Sequence, residues 1–585
     1  MTFRRKIFGT SVAIAVALAI GAPSVMAQGG PGPGGPGGRG GRGAPPYTPA
    51  AGAKDLKAVM FNWAWYTGML RSSEERDLLM SLEYKGEGTV QVGGQACNAT
   101  EYRTSISYQT SGERVQIKGT RPNGQDCSTI EVLSGAYAWN EDTPGAELVP
   151  GEGKATPMPG TVEERMIRLW ASPQGAWKSA MAAISGPNPE MTPRPATDIP
   201  EDVMKAGQTS VAWEGETPVV TFPILGVPGA TAMATLDDQW MAKSVVVKHG
   251  SDTIEFTYSN YKDWNNPLNP AEAFYAGRMI EKKNGTVVRD ITTTLTETGQ
   301  MYVVMPVPAS VEAAMQPTNR APNWTLAALI MPQTESAVTP RRPDGHPDLT
   351  GSWSGPPLPV RGGGARRCTP NQADCKIPQD NFWVDYEWIS PSRFGPSRPI
   401  YKPEYWDHIQ ELDQWTNKYD PVMTCQPLGL PRHGTPNRII QTDNDVLFFY
   451  RQYADYGGGN TEFRDIPTDG RELTEEQKII GTYYGQSVGR WEDDTLVIDS
   501  TSFVDSTWLG RGGLIHSPYM HIIERLTRVG NEIRYDMTIE DPEMFVEPWV
   551  MPTRILRAGR GDGIQPERSY CEAYEEGEAV TQLRH

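Results

Sequence analysis

Three residues with chemically active side chains lie close together near the C-terminus. Glu524 and Arg525 interrupt an apolar run from 522 to 526 that is typical of a β-strand, and His516 precedes that run. A carboxylate and an imidazole are groups that acid–base chemistry uses, and a guanidinium can hold a developing oxyanion. The sequence therefore suggests a catalytic set with Glu524 as base, His516 as acid and Arg525 as the oxyanion ligand.

A second interpretation of the same residues is structural. Successive side chains of a strand point to opposite faces, so one of Glu524 and Arg525 must point inward. A buried charge needs a partner, and a buried ion pair would account for these residues without any catalysis. The residues considered as partners are Arg490, Arg471 and Asp541.

Aromatic residues around this strand could form a binding pocket. Their rings would give the site an apolar lining and would raise the pKa of an enclosed Glu524. The ligand-binding residues predicted on this basis are Trp491, Trp508, Trp549, Tyr484 and Arg490. Aromatic residues in the first half of the chain are interpreted mainly as core, namely Tyr102, Tyr137, Trp139, Trp170 and Trp177.

Three other motifs have a chemical and a structural interpretation. The segment 485–489 matches the G-x-S-x-G elbow of hydrolases, but a β-rich stretch follows it where the elbow needs a helix, which favours a strand. Metal binding by His516, His521 and Glu524 is disfavoured because positions 521 and 524 of a strand point to opposite faces. The acidic run 492–494 lacks the spacing of a calcium loop. We therefore predict no metal and no cofactor.

The elements that carry these residues are two β-hairpins. The first runs from 487 to 501 with a turn at Asp493-Asp494, and the second from 521 to 539 with a turn at Gly530-Asn531. Along the last strand, alternate residues are apolar, which indicates one buried face. The residues assigned to that face are Ile533, Tyr535, Met537 and Ile539.

The N-terminus resembles a secretory signal peptide. Residues 4–6 are basic, residues 12–20 are apolar, and small residues precede a cleavage site after Ala27. We therefore expect a periplasmic or secreted bacterial protein. No later apolar run reaches about 18 residues, so an integral membrane protein is not expected. The formal charge of −17 argues against nucleic acid as a partner.

The six cysteines are expected to form disulfides in an oxidising compartment. We predict the pairs Cys97–Cys127, Cys368–Cys375 and Cys425–Cys571. A zinc site is disfavoured because no two cysteines stand in a C-x-x-C spacing.

The segment from 51 to 320 reads as strands, helices and strands again. Predicted strands include 105–110, 114–120 and 131–140, followed by a helix that a Thr161 capping box would open and a second helix that Ser172 would cap. Further strands are predicted at 210–213, 219–222, 243–249, 253–258 and 287–296. A meandering antiparallel sheet interrupted once by helices fits an α+β half-barrel.

This order of elements, with the strand Gly135 to Trp139, resembles the LolA/LolB lipoprotein-carrier superfamily. The resemblance implies an open half-barrel that wraps around helices and encloses an apolar cavity. The start of the second half, Gly351-Ser352-Trp353, is similar to the G-x-W opening of lipocalins, where the tryptophan closes one end of a small barrel. The second half also resembles a group of secreted bacterial β-rich proteins to which no activity is attached.

The sequence thus predicts a mainly β or α+β protein in several parts. These are a signal peptide (1–27), a disordered Gly/Pro/Arg-rich leader (28–50), a LolA-like open half-barrel (51–320), a linker (321–350) and a lipocalin-like, β-barrel-like domain (351–585). The expected function is binding of a hydrophobic or aromatic small molecule, or a lipid, in an aromatic-lined cavity. The alternatives are a metal-free lyase, isomerase or hydratase that uses Glu524 and His516, and a structural envelope protein.

Overall fold

The computed structural model describes residues 49–69, 79, 81–108, 111–183, 208–264, 274–298, 302–315, 337–354, 398–414, 419–450, 462–510, 512–551 and 553–559. The protein is mainly β, as predicted, and is built on large antiparallel sheets. The predicted signal peptide, all but the end of the leader, and the cysteines at 368, 375 and 571 lie outside the described residues.

The first sheet is formed by strands between residues 81 and 298. They are β1 (Ser81–Val92), β2 (Gln95–Ser107), β3 (Gly112–Thr120), β4 (Thr129–Ser134), β5 (Tyr137–Glu141), β6 (Ala155–Pro157), β7 (Ser210–Glu214), β8 (Thr217–Pro223), β9 (Thr231–Leu236), β10 (Ala242–His249), β11 (Asp252–Ser259), β14 (Arg278–Lys283) and β15 (Thr286–Thr298). Two short strands, β12 (Lys262–Asp263) and β13 (Phe274–Tyr275), pair with each other. The strand order is β6-β5-β4-β3-β2-β1-β15-β14-β11-β10-β9-β8-β7.

Four helices contact this sheet. They are α1 (Leu56–Tyr66), α2 (Val162–Ala171), α3 (Pro173–Ala182) and α4 (Ala309–Ala314). Helix α2 contacts β3, β4 and β5 on one side of the strand order and β10 on the other. Because the same short helix reaches both, the sheet curves around it. The hydroxyl of Tyr258 in β11 donates a hydrogen bond of 2.7 Å to the carbonyl of Ala171 and fixes the end of α2 to the sheet.

Two glycines allow the long strand β1 to bend. A Cβ atom at Gly86 or Gly88 would collide with the carbonyl oxygens of Thr292 and Asp290 in β15. The register of β1 shifts at the same place against both of its neighbours. Such irregularities increase the local twist and curvature of a sheet. The glycines therefore permit the curvature that encloses the helices.

The second sheet is formed by strands between residues 351 and 558. They are β16 (Gly351–Ser354), β17 (Arg438–Gln441), β18 (Asp445–Tyr450), β19 (Glu462–Pro467), β20 (Gln486–Glu492), β21 (Thr495–Thr501), β22 (His521–Val529), β23 (Glu532–Glu540), β24 (Trp549–Val550) and β25 (Arg554–Ala558). The order is β19-β18-β17-β16-β25-β23-β22-β21-β20, with β24 beside β23. Two helices accompany it, α5 (Trp406–Gln414) and α6 (Glu475–Ile479).

The second sheet nearly closes into a barrel. Strands β19 and β20 stand at opposite ends of the order, yet they lie side by side. Gly489 of β20 approaches the side chains of Ile466 and Thr468 so closely that a Cβ atom would have to displace them. At the start of β16, Trp353 is buried, and the guanidinium carbon of Arg528 lies 5.0 Å from the centre of its ring.

The two C-terminal hairpins are confirmed. They consist of β20 with β21 and of β22 with β23, with turns at the predicted positions. The apolar face of β23 is also confirmed, since Ile533, Tyr535, Met537 and Ile539 are all buried. Ser487 lies within β20 and not on a strand-to-helix elbow, so the strand interpretation of the G-x-S-x-G motif is correct.

Two predictions in the first half were wrong in detail. The single strand predicted at 131–140 is the hairpin β4–β5, because Gly135 takes a positive φ of 53° and turns the chain. The capping box at Thr161 does not form, since the Thr161 hydroxyl donates to the carbonyl of Met158 instead. Ser172 does cap α3, as predicted, by accepting a hydrogen bond from the backbone of Gly175.

The Cys97–Cys127 disulfide is confirmed. It joins β2 to the segment that follows β3, and both cysteines are buried. Cys425 is also disulfide-bonded. The assignment of Cys571 as its partner, the Cys368–Cys375 pair and the predicted division of the chain into domains remain predictions.

Candidate functional site

Aromatic side chains line a recess on the inner side of the first sheet. Tyr84, Tyr102, Tyr258 and Tyr275 contribute rings from β1, β2, β11 and β13. Apolar side chains complete this part of the lining, namely Ile106, Phe256, Met279, Ile280 and Ile291. These residues come from strands that are distant in sequence. The curvature of the first sheet brings its own strands together, and Tyr275 joins them from the separate β12–β13 pair. We refer to this space as the tyrosine recess.

The tyrosine rings form a packed row. The ring of Tyr84 lies between those of Tyr275 and Tyr102, with centroid distances of 5.1 and 6.1 Å. Burial raises the pKa values of Tyr84, Tyr258 and Tyr275 well above the ordinary range. Their hydroxyl groups therefore stay protonated at neutral pH and can donate hydrogen bonds.

Charged side chains form the remaining wall of the tyrosine recess. Arg168 of α2 lies 3.0 Å from Glu113 and 3.1 Å from Glu131. Arg289 of β15 lies 2.8 Å from Glu131 and 3.1 Å from Glu281. The wall therefore contains two guanidinium groups and the carboxylates of Glu113 and Glu281. Glu131 pairs with both arginines but does not itself line the recess.

Glu131 and Glu281, which both pair with Arg289, have opposite electrostatic environments. Burial alone would raise the pKa of Glu131, but Arg289 and Arg168 outweigh it and lower the value to about 2. For Glu281, burial outweighs the attraction of Arg289, and its pKa is raised. Glu131 is thus firmly ionised, whereas Glu281 takes up a proton more readily than a solvent-exposed glutamate does.

The tyrosine recess is narrow in this conformation. It contains about 430 Å³ of space, part of it open to solvent, but only about 40 Å³ can hold the centre of a water molecule. Since one water needs roughly 10–15 Å³ by that measure, the recess accommodates only a few waters as it stands. A larger guest requires the surrounding side chains to move.

A second concave region lies between the first sheet and the start of α5. Arg103 and Arg114 of β2 and β3 line it together with Trp406 and Gln410. Its charges are already matched, because Arg103 pairs with Asp407 at 2.7 Å and Arg114 pairs with Glu141 at 3.2 Å. The arrangement is that of a polar contact between α5 and the first sheet.

Glu524 and Arg525 lie on opposite faces of β22. Glu524 is fully buried inside the second sheet, where it pairs with Arg464 at 2.7 Å and accepts a hydrogen bond of 2.6 Å from the Tyr535 hydroxyl. The partner Arg464 is none of the three partners that the sequence suggested. Arg464 also donates to the hydroxyl groups of Tyr450, Ser487 and Ser500. This geometry supports the structural ion pair, and an acid–base role for Glu524 stays a prediction.

Arg525 and Arg490 belong to a charged network on the outer face. Both pair with Glu492, at 2.9 and 3.0 Å. Arg490 also pairs with Asp499, whose other oxygen lies 3.0 Å from His521. Glu492 of the acidic run is therefore already paired with arginine, as Asp494 is with Arg341.

His516 belongs to a third, separate group. Its Nδ1 atom lies 2.8 Å from the carbonyl of Ser517, so this nitrogen is the one that donates. Its Nε2 atom then accepts from the Thr507 hydroxyl at 2.8 Å. Burial lowers the pKa of His516, which keeps the ring neutral. His516, Glu524 and Arg525 therefore occupy three different environments.

The predicted aromatic ligands differ in their surroundings, and their role in binding stays a prediction. Trp491 stacks on His346 with a centroid distance of 4.6 Å, while Trp508 and Trp549 are buried. Tyr484 is linked to the interior pair, because its ring stacks on Tyr450, which accepts a hydrogen bond from Arg464.

Sequence reasoning missed most of the tyrosine recess. It assigned Tyr102 to the core and did not identify Tyr84, Tyr258 or Tyr275. One available signal was the presence of arginines at positions 165 and 168, beside the apolar stripe of α2. Charges next to the buried face of a helix need buried partners and so indicate a polar interior.

Comparisons with known proteins give no assignment. No protein-family model matches the chain, and no curated protein matches it significantly. Among the described residues, no group of three or more histidine, cysteine, aspartate or glutamate side chains could hold a metal ion. Within the same ranges, no helix is both long and apolar enough to cross a membrane.

Proposed function

We propose that this protein, acting in the periplasm or after secretion, binds a small hydrophobic or aromatic molecule in the tyrosine recess. The observation that carries the proposal is the row of Tyr275, Tyr84 and Tyr102 rings beside a wall of buried charges. Sites for small molecules combine an apolar lining with a few polar groups that fix orientation, and this recess contains both.

The lining indicates what kind of molecule fits. Stacked rings favour a flat apolar body, which could lie in offset contact with Tyr84 or Tyr275. The two arginines of the wall already pair with carboxylates, so the wall offers little to a strongly charged guest. Tyrosine hydroxyls and the Glu281 carboxyl group can exchange hydrogen bonds with a neutral hydroxyl or carbonyl. From these contacts we infer that the ligand is neutral and amphipathic.

The narrowness of the recess limits the size of the ligand. In this conformation a long acyl chain does not fit, and even a single aromatic ring requires the lining side chains to move apart. Methionine adapts readily to such changes because its side chain is unbranched and flexible. Met279 and its register neighbour Ile291 both line the recess, so we expect them to yield when a ligand binds.

The test is binding of the neutral dye N-phenyl-1-naphthylamine to the purified mature protein. Dye emission should rise to saturation as the dye is added to the wild type. Met279→Trp fills the recess with a larger side chain, so its affinity for the dye should be at least tenfold lower. The matched control is Val287→Trp on β15, because Val287 is 42% exposed. A wild type that binds no dye, or a Met279→Trp variant that binds like the wild type, would exclude the recess as the site.

A further inference from the structure

Arg554 is the first residue of β25 and lies inside the second sheet. It stands opposite Tyr535 of β23 in the register, and residues paired in an antiparallel ladder point to the same face. Tyr535 is buried inside the sheet, where it donates to Glu524. Arg554 is only 4% exposed. Its guanidinium group is therefore enclosed on the inner face.

The guanidinium of Arg554 lacks partners within the described ranges. Its Nε and Nη2 atoms are buried there without a hydrogen bond, and no carboxylate among those residues pairs with it. Another interior arginine of the same sheet, Arg464, shows the usual solution, with a carboxylate and three hydroxyl groups around it. Glu524 already pairs with Arg464, so Arg554 has no counter-charge among the residues that the structure describes.

Arg554 remains charged despite its burial. Loss of hydration lowers its pKa to about 9, which is still above neutral pH. A buried charge without hydrogen bonds or a counter-ion is strongly unfavourable. An anion bound to Arg554 would offset the free-energy cost of burying its charge, and this favours anion binding.

The two atoms without partners form one edge of the guanidinium. Nε–H and one Nη2–H point in parallel, and their spacing matches two oxygens of a carboxylate or phosphate. We propose that Arg554 binds the oxyanion group of a small molecule through this edge, inside the second sheet. The chemical class is a carboxylate or a phosphate. This site is separate from the tyrosine recess and does not rest on the function proposed for it.

A second buried donor lies on the same inner face. The indole Nε1 of Trp549 also has no hydrogen-bond partner in the part of the chain that the structure describes. Trp549 stands opposite Ile539 of β23, four residues beyond Tyr535, which corresponds to roughly 13 Å along a strand. Two donors on one face that have no acceptor among the described residues indicate an interior suited to a molecule that supplies acceptors.

The experiment measures thermal unfolding of the mature protein in inorganic phosphate, in benzoate and in chloride at equal ionic strength. The wild type should show a saturable rise in melting temperature with phosphate or benzoate beyond the rise in chloride. Arg554→Met should lose this rise, and Arg554→Lys should require at least tenfold more anion because lysine lacks the paired donors. The matched control is Arg438→Met, since Arg438 is exposed on β17 of the same sheet and should respond like the wild type.

Each outcome decides the proposal. A response to benzoate alone identifies a carboxylate ligand, and a response to phosphate alone identifies a phosphate ligand. No response beyond chloride, or an equal response in Arg554→Met, would overturn it. If Arg554→Met does not fold, the comparison of Arg554→Lys with the wild type decides. Dye binding in the tyrosine recess should be unchanged in both variants, so failure of one proposal leaves the other standing.

Discussion

Arg464 of β19 donates a hydrogen bond of 2.9 Å to the hydroxyl of Ser487 in β20, and these two strands stand at opposite ends of the second sheet. The same guanidinium pairs with the fully buried Glu524 at 2.7 Å. One cation thus neutralises the interior carboxylate and links the two edges of the sheet. Closure of the sheet therefore depends on an ion pair.

Replacing Arg464 by methionine should destabilise the protein strongly. The substitution leaves Glu524 buried with Tyr535 as a partner but without a cation, and removing one member of a buried pair costs roughly 3–5 kcal/mol. Urea unfolding followed by circular dichroism measures the change in the free energy of unfolding.

The double variant Arg464→Met/Glu524→Leu serves as the control. An apolar replacement of both partners is often close to neutral, so the double variant should be more stable than Arg464→Met alone. If the changes in the free energy of unfolding caused by the two substitutions simply add, the two residues do not act as a pair and this account is wrong.

Glu131 and Glu281, the two carboxylates that pair with Arg289, should respond to substitution in opposite ways. The pKa of Glu131 is lowered from 4.5 to about 2, so its ionised form contributes about 3 kcal/mol of stability above pH 4.5, which is lost as the pH falls toward 2. Glu131→Gln should remove that contribution at pH 7. Urea unfolding at several pH values measures it.

Glu281→Gln is the matched comparison. Because the folded protein raises the pKa of Glu281, the protonated form of this residue stabilises the fold at pH values below its ordinary pKa. That contribution is lost as the pH rises through the raised pKa. A permanently neutral glutamine avoids that loss, so Glu281→Gln should be at least as stable as the wild type at pH 8. Equal destabilisation by both variants would contradict the assigned environments.

The regular parts of the second sheet could be predicted because one face of each strand is buried. Alternation of apolar and polar residues identified β22 and β23, and turn residues located their connection. In the first sheet, β1 was missed because Glu83 and Lys85 interrupt its pattern. Glu83 is buried and pairs with Arg103 at 3.0 Å. A buried charge with a distant partner looks like a surface residue in the sequence.

The candidate sites depended on long-range contacts that no local pattern contains. Arg464 lies 60 residues from Glu524 in sequence, and the two meet only because the sheet closes. Three tyrosines of the recess come from strands that the curvature of the first sheet brings together, and Tyr275 comes from the separate strand β13. Sequence spacing could indicate that Glu524 or Arg525 needed a partner, but it could not choose Arg464 over Arg490 or Arg471.

The Cys97–Cys127 disulfide should stabilise the first sheet. It closes a loop with a sequence separation of 30, for which chain-entropy arguments give about 3–4 kcal/mol. Cys97→Ala/Cys127→Ala should therefore lower the urea midpoint without loss of the folded structure, as judged by circular dichroism. A urea midpoint equal to that of the wild type would show that the disulfide does not stabilise the protein by reducing the conformational entropy of the unfolded chain.

His516 should make stability depend on pH in the acid range. Its pKa is lowered from 6.5 by burial, so the stability of the neutral ring is present above pH 6.5 and is lost as the pH falls through the lowered value. His516→Asn cannot take up this proton and should lack that part of the dependence. Melting temperatures between pH 8 and pH 4 test it, with His408→Asn as the control because the His408 side chain is 54% exposed. A variant whose pH profile parallels that of the wild type would show that His516 does not titrate on unfolding.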